Sequence, residues 1–157
     1  MVDAPVTIRT ATSADAARLN ELHISSVRAL CSGHYTQEIL EGWLLNRTPS
    51  GYLGPISRGS IFVAELGDEI VGFGEAARGV VVAVYVDPGA AGRGIGRRIL
   101  QHALAVARSR ECDSVMVEAT LNARAFYERH GFREVRHATV TRNHVEVPIV
   151  VMKYDAA

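Results

Sequence analysis

The sequence predicts a single α/β domain, residues 1–157, built on a mixed, mainly antiparallel sheet flanked by helices. Three features carry that expectation. Gly67-Asp68, a tight-turn pair, separates two apolar runs in the manner of an antiparallel hairpin. A nearly continuous apolar run over 79–86 ends at Asp87-Pro88 and leads through a glycine-rich turn into a segment of helical periodicity. The runs 135–140 and 145–153 then read as a closing hairpin. At 157 residues such a domain buries about two-thirds of the surface its unfolded chain exposes, enough for one substantial core.

Taken in order, Val6–Thr10 predicts a short strand, and Ser13 is placed as the N-cap of a helix whose Ala16, Leu19, Leu22, Ser26 and Leu30 share a face. A second short helix is expected over 36–45. Residues 46–60 hold the breakers Pro49, Gly51, Gly54 and Pro55, which predict a surface loop and a flexible lid. Ile61–Leu66 and 69–76 form the first hairpin, and 79–86 is expected as a central strand covered on both faces. Ile95, Ile99, Ala103 and Val106 fall on one side of a helix running to about Ser109. A strand over 114–119 and a short helix over 122–130, stopped by Gly131, precede the final hairpin.

Composition removes several classes of function. Lys plus Arg equals Asp plus Glu at 17 each, so no net field is available to hold a nucleic-acid backbone, and no nucleic-acid partner is expected. No apolar run approaches the roughly 18 residues of a membrane helix. Residues 1–12 carry neither a basic leader nor an apolar signal core, and a cytoplasmic location is expected. Cys31 and Cys112 are far apart and lack metal-type spacing, so both are expected as free thiols. His130, His137 and His144 recur every seven residues, but Gly131 and the β-branched run between them break any shared helix, and no metal site is expected.

The most informative stretch is Val84-Tyr85-Val86-Asp87-Pro88 followed by Ala91-Gly92-Arg93-Gly94-Ile95-Gly96-Arg97-Arg98. A glycine-rich strand-to-helix turn leaves backbone N–H groups free at the positive end of a helix dipole, where a pyrophosphate can accept from them. Arg93, Arg97 and Arg98 add positive charge there. A nucleoside-triphosphatase loop would need Lys and then Ser or Thr after the last glycine, whereas Arg97 and Arg98 follow Gly96. A dinucleotide fold would want a third glycine; Glu118 imitates its ribose-binding acid, which keeps a nicotinamide-dinucleotide module as a weaker alternative.

This turn resembles the coenzyme A motif of the GCN5-related N-acetyltransferase (GNAT) family: Gln or Arg, two residues, Gly, one residue, then Gly or Ala. Gly94 and Gly96 match the glycines, while Ala91 stands where the family usually has Gln or Arg. A second segment, Asn122-Ala123-Arg124-Ala125-Phe126-Tyr127-Glu128-Arg129-His130-Gly131-Phe132, is similar to the family's Asn, Ala, Phe-Tyr, Gly-Phe pattern. The resemblance covers nearly the whole order of elements. It implies binding of acetyl-coenzyme A (acetyl-CoA) as acyl donor by Val84, Tyr85, Val86, Ala91, Gly92, Arg93, Gly94, Ile95, Gly96, Arg97, Asn122 and Tyr127, and direct acetyl transfer to the amine of a small molecule or peptide.

Such a transfer needs a neutral nucleophile, donors for the oxyanion and a proton for the departing thiolate. Backbone N–H groups near Val84 and Val86, freed by a bulge, would polarise the carbonyl. Tyr127 is the expected acid, since a phenol with pKa of about 10 stays protonated at neutral pH. The family often carries a glutamate early in the central strand; Val80-Val81-Val82 cannot accept a proton, and Glu75 on the neighbouring strand is the expected substitute. The same stretch motivates the alternative of a non-catalytic acyl-CoA sensor. Tyr35 and Trp43 resemble an aromatic pair that a group of small bacterial acetyltransferases places near the acceptor, which would make them substrate-binding. A monomer or a homodimer is expected.

Overall fold

The computed structural model describes residues 5–108 and 112–155. Seven strands form one sheet in the order β1-β2-β3-β4-β5-β7-β6. They are β1 Val6–Thr10, β2 Ile61–Leu66, β3 Glu69–Ala77, β4 Val80–Val86, β5 Ser114–Thr120, β6 Phe132–Arg142 and β7 Val145–Asp155. Every neighbouring pair is antiparallel except β4 and β5, which run parallel. A sheet with one parallel pair is not the doubly wound parallel sheet that a dinucleotide module requires. The helices are α1 Ala16–Leu30, α2 Gln37–Leu44, α3 Leu53–Ser57, α4 Ile95–Arg108 and α5 Arg124–Arg129. None is long and apolar enough to cross a membrane.

Most elements form where local chemistry directs them, and the departures have physical reasons. Ser13 does not cap α1: Thr12 occupies the N-cap of a 3-10 turn, and its amide donates to Asp15 Oδ2 at 2.8 Å. Leu30, the last residue of α1, is 41% exposed and does not join the buried face formed by Ala16, Leu19, Leu22 and Ser26. The expected loop over 46–60 contains a 3-10 turn, Pro49–Tyr52, and α3. Pro49 begins that turn, where its missing N–H costs nothing, and the buried Tyr52 ring anchors the segment against α1. The closing strands are longer than expected because Asn143 and His144 both adopt positive φ, 48° and 70°, and turn the chain between β6 and β7. The expected helix end at Ser109 lies outside the described residues.

Two layers cover the sheet. On one face Ile95, Ile99, Leu100 and Ala103 of α4 pack with Phe62, Val71 and Val81. On the other, Leu19 and Leu22 of α1 pack with Tyr52, Ile61, Val63 and Phe73. Gly72 and Gly74 let α4 approach β3 closely. A Cβ on Gly72 would lie 2.7 Å from Ile99 Cδ1 and 2.9 Å from the Tyr85 carbonyl oxygen. Arg18 joins the layers, bonding the Ile70 carbonyl at 2.9 Å and Asp87 Oδ2 at 2.7 Å, and Asp87 Oδ1 in turn accepts from the Gly89 amide at 2.9 Å.

The central strand is not covered on both faces. Val81 is buried, but Val82 is 49% exposed and Ala83–Val86 are only partly covered. The cause is a bulge: pairing steps from Ala76↔Val81 to Glu75↔Ala83, which leaves Val82 as an extra residue. We predict that Gly72→Ala lowers the unfolding free energy by about 1–3 kcal/mol, since a backbone carbonyl cannot rotate out of the way. Urea denaturation measures it, and an unchanged midpoint and slope would contradict the packing described.

Candidate functional site

The bulge at Val82 also reverses the side to which β4 presents its amides. The Gly79 carbonyl accepts from the Met116 amide at 3.0 Å and so faces β5, whereas the Asp87 amide donates to the Val71 carbonyl at 2.8 Å and so faces β3. These residues are an even number apart and would face the same way in a regular strand; the extra residue inverts the alternation. Beyond it Ala83 and Tyr85 turn to β3, while Val84 and Val86 turn to the β5 side. Among the described residues β5 pairs with β4 only at Val80 and Val81. The strands part there, and the outward amides of Val84 and Val86 meet a cleft instead of a neighbour.

That cleft has a volume of about 650 Å³. Val84, Tyr85 and Val86 form its floor; Ala91, Gly92, Gly94, Ile95, Gly96 and Arg97 form one wall. Gly92 and Gly94 have φ of +81° and +76°, and a Cβ on either would meet nothing within 4 Å, so the turn stands beside open space. The first intrahelical bond of α4 runs from the Arg98 amide to the Gly94 carbonyl at 3.2 Å. The amides of Ile95, Gly96 and Arg97 therefore have no acceptor within their own helix. A cradle of main-chain donors at a helix start, beside open space, suits a phosphate or pyrophosphate. Arg93 is exposed on the same turn and does not line the cleft.

The opposite wall comes from the end of β5 and from α5: Thr120, Asn122, Ala123, Phe126, Arg129 and His130. Arg129 was not singled out from the sequence. Its signal was available, since Asn122, Phe126 and Arg129 recur at helical spacing on one side. Arg97 and Arg129 reach the same place, because after burial their charges are the causes that lower the His130 pKa. Ser26, Leu30, Cys31 and His34 close the third side, and no sequence motif marked them. Cys31 Sγ donates to Asn122 Oδ1 at 3.2 Å, and burial pushes its thiol up to about 11, so it is a protonated tie and not a nucleophile.

Tyr127 sits behind this wall, 4% exposed, with its ring 5.2 Å from Phe126 and 5.3 Å from Phe132. Burial first and neighbouring Tyr85 second hold its phenol well above the usual range, so it carries its proton. Glu75 lies on β3 opposite Ala83, on the Phe73 and Tyr85 face of the sheet, and away from the cleft lining. Burial raises its carboxyl and Arg58 partly offsets that rise. Tyr35 and Trp43 are core residues. Tyr35 Oη donates to the Pro148 carbonyl at 2.6 Å and accepts from the Leu121 amide at 3.0 Å, and the rings meet edge to face at 5.8 Å. They hold α2 and β7 behind the cleft without lining it.

Beneath the cleft lies an aromatic row that the sequence did not reveal. His23, 7% exposed, stacks against Tyr85 at 4.2 Å, and its Nδ1 is 2.8 Å from Tyr52 Oη. Burial, then the charges of Arg47 and Arg142, lower the His23 pKa to about 3, so the ring is neutral. Its folded pKa lies below the unfolded value of about 6.5, so the unfolded chain binds the proton first as pH falls, and stability drops between about 6.5 and 3. The stability advantage of the native protein over His23→Gln should therefore narrow by up to about 2 kcal/mol between pH 7 and pH 5. A constant difference in denaturation midpoints across that range would contradict a buried neutral ring.

Known proteins share this arrangement. Residues 57–134 match the acetyltransferase (GNAT) domain. The mycothiol acetyltransferase of Beutenbergia cavernae is 47% identical over 64 residues, which are 39% of this chain and 22% of that protein. The match thus spans about a fifth of that relative's length. A GCN5-related N-acetyltransferase from Rhodopseudomonas palustris superposes with a TM-score of 0.84 at 22% identity, covering 99% of both chains. The PaiA N-acetyltransferase from Thermoplasma acidophilum, solved in complex with coenzyme A, gives 0.79 at 19% identity, covering 97% of this chain and 99% of that one. The parted parallel strands and the glycine turn agree with that domain match, and the fold is that of the GCN5-related N-acetyltransferases.

Proposed function

We propose that this protein moves the acetyl group of acetyl-CoA directly to the amine of a small molecule or peptide. One observation carries the reading: β4 and β5 separate beyond the bulge and leave the Val84 and Val86 amides facing an open cleft beside the glycine turn. The coenzyme A held by the PaiA relative supports it. Acetyl-CoA supplies the activated thioester. The free amides of the turn, with Arg97 and Arg129, suit its phosphates. The amides of Val84 and Val86 suit the pantetheine arm and the polarised carbonyl oxygen.

In the transfer the amine nitrogen forms a bond to the carbonyl carbon, the carbon–sulfur bond breaks, and a proton passes to the sulfur. Tyr127 is the acid we assign to that sulfur, its phenol kept protonated by burial. Glu75, with a raised carboxyl, is the group we assign to accepting the amine's proton through water. No Ser or Cys nucleophile takes part: burial keeps Cys31 a thiol, and that thiol donates to Asn122 Oδ1.

A binding-only sensor remains a distinct reading, favoured by the absence of a carboxylate on Val80, Val81 and Val82 of β4. Release of free thiol from acetyl-CoA separates the two. The enzyme reading predicts release that depends on an added amine, and a fall of about 10²- to 10⁴-fold in turnover for Tyr127→Phe with thermal stabilisation by acetyl-CoA retained. Stabilisation without amine-dependent release would establish the sensor instead. An unchanged rate in Tyr127→Phe would remove that residue from the chemistry.

A further inference from the structure

A second cavity, of about 360 Å³, opens where the end of α2 meets the tip of the β6–β7 hairpin. Arg47 and Arg142 line it, together with Thr48, Ser50, Tyr52 and Thr141. Its frame is built and pinned. Asn143 Nδ2 donates to the carbonyls of Trp43 at 3.0 Å and Leu45 at 2.7 Å, which fixes the hairpin tip against α2 and brings the two arginines to one place.

Among the described residues the two guanidinium groups have no counter-charge. Neither forms an ion pair with any described carboxylate, and Glu146, which pairs in register with Thr141, is exposed and forms an ion pair with neither. Arg47 Nε is a buried donor without a hydrogen-bond partner among the described residues, although the same guanidinium also bonds the Tyr52 hydroxyl; the neighbouring His23 Nε2, on a side chain only 7% exposed, likewise lacks a partner there. Buried polar atoms in folded proteins are nearly always satisfied, so an unpartnered buried guanidinium nitrogen beside a polar cavity implies a missing acceptor. A planar carboxylate suits it, because guanidinium donors match carboxylate oxygens in pairs.

A row of packed rings runs from the cavity to the floor of the cleft. Tyr52 forms part of its wall, bonds His23 at 2.8 Å, and His23 stacks on Tyr85, which floors the cleft beside Val84 and Val86. Arg47 and Arg142 both act on His23 and on Tyr85, so their field reaches along this row.

Resting on the acetyl-transfer reading, we infer that the acceptor is an amine that also bears a carboxylate, such as an amino acid. Arg47 and Arg142 hold the carboxylate in the second cavity, and the amine points along the Tyr52–His23–Tyr85 row toward β4. The acyl-donor cleft thus faces an acceptor site with charge specificity of its own.

Product binding tests this without requiring turnover. N-acetyl amino acids and their carboxamides, matched in side chain, are titrated against the protein by calorimetry in the presence of coenzyme A. The acids should bind at least about tenfold more tightly than the amides, the scale of a charge-assisted pair. Arg47→Gln and Arg142→Gln should each erase that preference, and Arg142→Lys should restore part of it. Equal binding of acid and amide, a preference that survives both glutamine variants, or no binding of either series overturns the inference. Failure of the acetyl-transfer reading shows separately, as no amine-dependent release of thiol from acetyl-CoA with either amino acids or their amides.

Discussion

The extra residue at Val82 is the constraint on which the rest of the structure depends. It bends β4, exchanges the sides on which its amides point, and coincides with the place where β5 ceases to pair. A regular strand here would bury its hydrogen-bonding groups in the ladder and leave nothing to bind. The bulge instead turns the donors at Val84 and Val86 outward, and the parallel partner, which pairs alongside Val80 and Val81, moves away from them. The cost of unpaired main-chain groups is moderate because the cleft is open to water until a ligand arrives.

Everything around that opening keeps its two lips apart and in register. Gly72 and Gly74 allow α4 to sit close against β3, which sets the position of the glycine turn at the head of that helix. Arg18 and Asp87 tie the same turn to α1. On the far lip Tyr35 joins the start of the β5–α5 segment to β7 through its one hydroxyl, and Cys31 bonds Asn122. Charges divide in the same way: Arg97 and Arg129 stand at the glycine-turn cleft, while Arg47 and Arg142 stand at the hairpin cavity. Neutral His23 and Tyr85 lie on the row leading from one to the other.

Much of this was legible in the sequence where the signal is local. The Gly67-Asp68 hairpin, the glycine turn and α4 follow from turn chemistry and periodicity, and the structure has them in place. The strand over 79–86 was legible as a strand but misread as covered on both faces, because an apolar run carries no mark of where its neighbour departs. The 46–60 segment was read as a loop since its prolines and glycines break long helices, yet Pro49 starts a 3-10 turn and Tyr52 supplies the buried anchor. Tyr35 and Trp43 show the opposite limit: their aromatic character was evident, but only the fold reveals that the tyrosine hydroxyl is spent on Pro148 and Leu121. The pairing of Arg47 with Arg142 joins residues distant in sequence, and no spacing rule reaches so far.

The most direct measurement is amide hydrogen exchange, resolved by residue along β4, with and without coenzyme A. The account predicts that Tyr85, turned to β3, is protected in both states, while Val84 and Val86 exchange rapidly in the free protein and slow at least about tenfold when coenzyme A is added. Protection of Val84 and Val86 equal to that of Tyr85 in the free protein, or exchange that coenzyme A leaves unchanged, would contradict it.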